Sequence, residues 1–295
     1  MGKRILLFVL TNLLVILTLS IIGSVLGIRP YISAYGMDYT NLAFFALLWG
    51  FGGALISLML SKVSAKFAMG IQVIDPMKPG EFGWLLNMVE QLSKSAGLPR
   101  TPEVGVWNGP EMNAFATGPT KGNALVAFSA GLLQNMSRDE IEGVAAHEIA
   151  HVANGDMVTM TLIQGVINAF VIFFARALSF LISSRSSDEN SHGSNFLLTM
   201  VLEVVLSFLG MIVVAWFSRQ REFRADAGGA MYAGRERMIA GLEKLKRFSA
   251  INQEVGETAP SLATMKISSQ SSKFLSLFAT HPPLEVRIEA LRAGR

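Results

Sequence analysis

A chain of 295 residues with 51% hydrophobic and 16% charged residues and a mean hydropathy of +0.42 is more apolar than a typical soluble domain, in which about 25% of residues are charged. The net charge of +3 comes from scattered lysines and arginines with no basic run or interleaved aromatics, which argues against a nucleic-acid partner and fits the basic flanks of membrane segments. Cysteine is absent, so disulfides and thiolate metal sites are excluded, and any metal must take nitrogen and oxygen ligands.

Four apolar runs reach the length of about 20 residues that crosses a bilayer as helix. The first, residues 5–28, follows Lys3 and Arg4. No small-residue cleavage site succeeds it and a second span comes soon after, so it reads as an anchor and not a removed signal peptide. The second covers 41–60. About 100 residues of soluble character then intervene, in which "GIQVID", "TPEVGVW" and "NALVAFSAG" read as short strands bounded by Gly and Pro. Between the first two of these, "EFGWLLNMVEQLSKSAG" has helical apolar spacing and a glycine stop. In "SRDEIEGVAAHEIAHVANGD", Ser137 with Glu140 three residues on is a capping-box signature, which predicts a helix from Arg138 to Asn154 and Gly155.

The third run, 158–182, carries Thr161, Gln164 and Asn168 at spacings that share one helical face, turned toward a bundle interior or a wet cavity. It also carries Arg176. With Glu203 in the fourth run, 196–217, Arg176 would lie roughly 10 Å below one membrane surface. Pairing of the two across the hairpin is expected, with Arg176 snorkelling alone as the alternative. The joining loop, "SSRSSDENSHGS", is too short to be a domain. Lys3, Arg4, Lys62, Lys66, Arg219, Arg221 and Arg224 flank the spans on one side, against Arg29 and Arg185 on the other, which predicts both termini in the cytoplasm. After the fourth run come "SRQREFRAD", a polar stretch at 251–272 that reads as a mobile loop or linker, and "FATHPPLEVRI".

His147 and His151 project one turn apart from the same helix face, the spacing at which two imidazoles hold one zinc ion. The bland reading is a pair of core histidines with backbone partners. A hydrolytic zinc site wants a third protein ligand and an open position. Glu222 is the best downstream candidate, because a membrane hairpin returns the chain to the side on which it left just after His151. Asp226, four residues after Glu222, can accept the second ring N–H of a ligand histidine, most simply His147. Alternatively, Glu222 and Asp226 belong to a charged, solvated helix start.

"HEIAHVANGD", the membrane hairpin, "REFRAD", the upstream "NAFATG" and the late "THPPLEVRI" together resemble the bacterial HtpX membrane metalloproteases, relatives of the CAAX prenyl endoprotease. The likeness covers nearly the whole chain. It implies a mainly α integral membrane protein with a small β-sheet, a gluzincin-like zinc metalloprotease domain split by four transmembrane helices. It also implies a stress-linked role in quality control of membrane proteins at the bacterial inner membrane. By position, His147, His151 and Glu222 resemble the ligands of one zinc per chain, and Glu148 the general base. Asn113, Ala114 and Phe115 resemble an edge strand to which extended substrate adds by backbone hydrogen bonds; an ordinary hairpin strand is the alternative. The resemblance places His281 near the zinc, as a donor to the developing oxyanion or as an occupant of the metal's open position, unless it is a surface or packing histidine. Arg287 is a second candidate there, or a plain helix ion-pair partner.

The implied division is residues 1–60 as membrane anchor, 61–157 as the first catalytic part, 158–217 as transmembrane hairpin and 218–295 as the second catalytic part. Expected partners are the lipid bilayer and membrane-protein or unfolded polypeptide substrates. Two other classes stay open: a metal-binding adaptor, which would not need Glu148, and a small transporter, which would not need the ligand set.

Overall fold

The computed structural model describes residues 36–184, 192–257 and 279–294, together with 17, 21, 25, 32–33 and 277. The first expected span, 5–28, lies outside the described residues apart from Leu17, Ile21 and Val25, each helical. Residues 185–191 of the joining loop and 258–272 of the polar stretch also lie outside them.

Among the described residues the elements run β1 (Ile32–Ser33), β2 (Gly36–Met37), α1 (Tyr39–Met69), β3 (Gln72–Val73), a 3-10 turn at Gly80–Phe82 and α2 (Gly83–Ser95). These are followed by β4 (Glu103–Trp107), β5 (Ala114–Thr120), β6 (Asn123–Ser129), α3 (Ala130–Asn135), α4 (Arg138–Asn154) and α5 (Asp156–Ser183). Last come α6 (His192–Ala233), α7 (Arg235–Glu257) and α8 (Leu284–Arg292). Three of these helices are long and apolar enough to cross a membrane: Tyr39–Met69, Asp156–Ser183 and the stretch Phe196–Ala233 of α6. The protein is therefore mainly helical with a small mixed sheet and several membrane helices. Residues 251–257, expected to open the polar loop, instead continue α7, since no proline interrupts the helix before Pro260.

The chain divides into two compact units, 1–59 with 159–214 and 60–158 with 215–295. In the first, glycines let helices approach. A Cβ on Gly50 would stand 2.5 Å from the backbone nitrogen of Ala169, and one on Gly165 2.7 Å from the Phe51 ring. Small residues at such crossings are how helices pack in lipid, where burial of apolar surface gives no driving force. Arg176 forms an ion pair with Glu203, and its guanidinium lies 5.3 Å from the centre of the Phe45 ring. Gln164 donates to Asn168 at 2.7 Å, so these two residues of the polar face pair along their own helix.

In the second unit the sheet order is β3-β4-β6-β5. β3 and β4 are antiparallel, β4 and β6 parallel, β6 and β5 antiparallel, which leaves β5 on an edge. α2 and α4 cover the sheet. Leu85, Val89 and Leu92 of α2 pack with Val104, Val126 and Phe128 of the sheet and with Ile141, Ala145, Ala146 and Ile149 of α4. The capping box at the start of α4 is present, with the Ser137 hydroxyl accepting from the Glu140 N–H and the Glu140 carboxylate accepting from the Ser137 N–H. The helix ends at Gly155, whose φ of +72° is the left-handed C-cap that glycine adopts without strain. α6 presses close to α4. A Cβ on Gly228 would meet Ala150 Cβ at 2.9 Å, and one on Gly229 would stand 3.1 Å from the backbone nitrogen of His147. This approach sets the distance between the helix that carries the two histidines and the helix that carries Glu222.

Candidate metal centre

His147 and His151 sit mid-helix on α4, and their Nε2 atoms face each other at 3.0 Å. Glu222, on α6, brings Oε2 to 3.4 Å from His147 Nε2 and Oε1 to 3.4 Å from His151 Nε2. All three side chains are buried and together form a group able to hold one metal ion.

Each imidazole is held from behind by a carboxylate. Asp226 Oδ1 lies 2.9 Å from His147 Nδ1, and Asp156 Oδ2 lies 2.6 Å from His151 Nδ1. With Nδ1–H donated to a carboxylate, a neutral imidazole turns its Nε2 lone pair inward. Two lone pairs at 3.0 Å repel unless a cation or proton lies between them. Glu222 poses the same problem. It is fully buried, and although His281 Nδ1 is 2.9 Å away, Arg287 Nη1 3.3 Å and Arg221 Nε 3.6 Å, none is aligned to donate, so both oxygens lack a hydrogen bond among the described residues. Buried carboxylate oxygens are expected to find partners. A divalent cation at the meeting point answers both problems, and a set of two imidazole nitrogens and one carboxylate fits zinc, which takes nitrogen and oxygen ligands at about 2.0–2.2 Å.

The electrostatics agree. Burial opposes the charge on His147, yet the neighbouring carboxylates of Asp226 and Glu222 carry its pKa above the ordinary value. Burial likewise opposes charge on His151, but Asp156 and Glu222 push it up to about 9. Burial resists ionisation of Glu222, and the surrounding histidines outweigh it and hold the carboxyl well below the usual carboxylate range. The pocket thus attracts positive charge strongly, and a metal ion competes with protons for the same lone pairs.

Arg287 completes the wall. It is buried, donates to both oxygens of Asp226 at 2.8 and 2.6 Å, and sits between that carboxylate and Glu222. Burial disfavours its charge, and Asp226 and Glu222 more than compensate, so its pKa lies above the usual value. Asp226 feels the converse: burial resists its ionisation, and Arg287 and His147 hold it ionised. The bidentate pair fixes Asp226, and through it the His147 ring.

Most of the other sequence-predicted residues gather at one cleft of about 150 Å³, lined by Asn113, Ala114, His147, Glu148, Glu222, His281 and Arg287 together with apolar side chains from α3, α4 and α7, whereas Phe115 and Asp226 do not line it. Glu148 is partly buried there, one residue after His147. His281 is mostly exposed, its side chain 60% accessible, with Nδ1 turned to Glu222. Asn113 precedes β5 and is bonded in both directions to Ser129, its carbonyl accepting from the Ser129 N–H at 2.9 Å and its N–H donating to the Ser129 hydroxyl at 3.1 Å. Ala114 and Phe115 follow on the edge strand; Phe115 packs on Trp107, with ring centres 5.5 Å apart. Asp156 was not among the candidates. It is the first residue of α5, directly after the Gly155 cap, and its signal was an acidic residue five positions beyond the second histidine.

Helices that cross a membrane, together with a buried imidazole–imidazole–carboxylate group at the head of a cleft, define a membrane metalloprotease, and the comparisons with known proteins agree. The sequence profile of peptidase family M48 matches residues 79–295. "Protease HtpX" of Mannheimia succiniciproducens is 50% identical over 293 residues, covering 99% of both chains. "Protease HtpX homolog" of Methylacidiphilum infernorum is 48% identical over 296 residues, covering 99% of this chain and 98% of that one. The crystal structure of S. mikatae Ste24p shares the fold, with a TM-score of 0.63 at 20% identity over 99% of this chain and 66% of that longer one. The chain belongs to peptidase family M48, alongside the HtpX proteases, and is a metalloendopeptidase of a multi-pass membrane protein family.

Proposed function

We propose that this chain is a zinc-dependent endopeptidase that cuts misfolded or damaged membrane proteins at the cytoplasmic face of the bacterial inner membrane. One zinc per chain is held by His147, His151 and Glu222. The observation that carries this reading is the convergence of two inward Nε2 atoms on a buried carboxylate that has no hydrogen bond of its own among the described residues. Residues 5–28 supply a fourth span, and the basic flanks set both termini in the cytoplasm. The division into anchor, first catalytic part, hairpin and second catalytic part follows, with a gluzincin-type arrangement of the catalytic parts.

Zinc bound in the group supplies a Lewis acid that polarises a peptide carbonyl and lowers the pKa of water toward about 7. The chain's residues do the rest. Extended substrate adds to the free edge of β5 near Ala114 and Phe115, where backbone bonding holds any sequence in register. Glu148, in the same cleft as His147 and Glu222, takes the proton from the attacking water and returns it to the departing nitrogen. His281 donates to the oxyanion that develops on the carbonyl. Asp156 and Asp226 keep the two ligand rings oriented, and Arg287 locks Asp226.

Glu148→Gln in purified, full-length protein tests the reading. Proteolysis of casein or a membrane-protein substrate should fall by about 10²–10⁴-fold, with zinc content unchanged. Activity at the wild-type level would remove Glu148 from the chemistry, whereas zinc-loaded wild-type protein that cuts no substrate would reopen the adaptor reading.

A further inference from the structure

Arg219 lies one helical turn before Glu222 on α6 and bonds a distant part of the chain. Its Nη1 donates to the carbonyl of Leu277 at 3.1 Å and to that of Ala279 at 2.7 Å. Two residues beyond Ala279 comes His281, whose Nδ1 stands 2.9 Å from Glu222 Oε2. On the far side of His281, Pro282 is buried and Pro283 opens α8, its carbonyl accepting from the N–H groups of Val286 and Arg287. That side is therefore anchored by ring-locked backbone and by the buried Arg287. The near side has the two bonds from Arg219. The His281 ring itself, mostly exposed, has little packing to hold it.

We propose that Arg219 is a positioning residue: its guanidinium clamps the carbonyls ahead of His281 and so fixes where that imidazole stands over the cleft. The clamp and the Glu222 carboxylate sit three residues apart on one helix, so the group that faces the metal and the tether of the loop keep a constant spacing. A guanidinium suits the task because its donors are held in a rigid fork, whereas a lysine presents a single ammonium on a flexible stem. The kinetic consequence rests on the reading of His281 as a donor to the developing oxyanion.

The test uses zinc-loaded, full-length protein carrying Arg219→Ala, Arg219→Lys, His281→Ala and the Arg219→Ala/His281→Ala pair. Amide hydrogen exchange in the peptide spanning residues 277–287 should quicken by about ten-fold in Arg219→Ala and less in Arg219→Lys, while exchange in α4 stays unchanged. Turnover should fall by roughly ten-fold with KM little altered, as expected when an interaction made in the transition state is loosened. Zinc content should hold, added guanidinium should restore part of the Arg219→Ala loss, and the double variant should be no slower than His281→Ala alone. Unchanged exchange around His281, or a loss that multiplies with that of His281→Ala, would overturn the clamp. Wild-type turnover in His281→Ala would instead sink the oxyanion role, and exchange would still decide whether Arg219 holds the loop. If Arg219→Ala loses zinc or melts early, the same exchange and kinetic comparison is made on Arg219→Lys, where full protection with full turnover would count against the fork geometry.

Discussion

In the membrane unit, Arg176 and Glu203 take charge out of water by binding one another, and Arg176 also reaches the Ile172 carbonyl and the Phe45 ring. In the catalytic unit, Glu222 is buried more completely, with four nitrogens of His147, His151, His281 and Arg287 within 3.4 Å of its oxygens and no hydrogen bond to any of them. The first arrangement is complete in itself, which is what an apolar surround demands of a charged pair. The second is tightly built, with carboxylates behind both histidines and an arginine behind one of those carboxylates, and its ligand atoms converge on one point that suits a cation. A satisfied pair holds a fold together, whereas an unsatisfied one held this firmly marks a binding site.

That contrast can be broken at several strengths. Glu222→Ala should abolish zinc retention and lower proteolysis by on the order of 10³-fold or more, because hydrolytic zinc needs its third protein ligand; metal analysis beside a protease assay checks it, and a zinc-replete, active variant would refute it. Asp156→Asn is gentler. It leaves an oxygen for His151 Nδ1–H but removes the charge, so zinc affinity measured against a chelator should weaken by about 10–100-fold with the fold intact.

Cutting the membrane pair should act on stability and not on metal. Arg176→Met strands Glu203 among apolar side chains at a cost of roughly 2.5–3.5 kcal/mol, read as a loss of folded protein in detergent, and the charge swap Arg176→Glu/Glu203→Arg should recover most of it. Failure of the swap to recover anything would show that the contact with Phe45 outweighs the ion pair. The smallest effect belongs to Lys121, in the turn between β5 and β6, whose ammonium donates to the Ala153 carbonyl at the end of α4. Lys121→Met removes a cation from a helix C-terminus, worth about 0.3–1 kcal/mol, so the melting temperature should drop by a few degrees at most with zinc affinity nearly unchanged.

Much of this was legible in the chain because local rules fix it. The capping box at Ser137 and Glu140 and the glycine at 155 bound α4 where the structure ends it, and the apolar runs announce the membrane helices. Partners far apart in sequence were less visible. Arg287 reads as an ordinary helix cation until the fold sets it against Asp226, 61 positions earlier. Asp156 reads as the acidic first turn of a new helix, and only the sharp left-handed cap at Gly155 sends its carboxylate back to His151. β5 is legible only through the resemblance that "NAFATG" carries, for another reason. Gly118 and Pro119 break strand patterning, but an edge strand tolerates proline, and Gly118, at φ +144°, lies so close to Asn123 that a Cβ would come 2.3 Å from its carbonyl oxygen.

The central claim is most directly tested by anomalous diffraction at the zinc edge on purified wild-type protein. One peak per chain is predicted, about 2.0–2.2 Å from His147 Nε2, His151 Nε2 and a Glu222 oxygen. A zinc-replete crystal with its peak elsewhere, or with Glu222 turned away from the ion, would contradict the account.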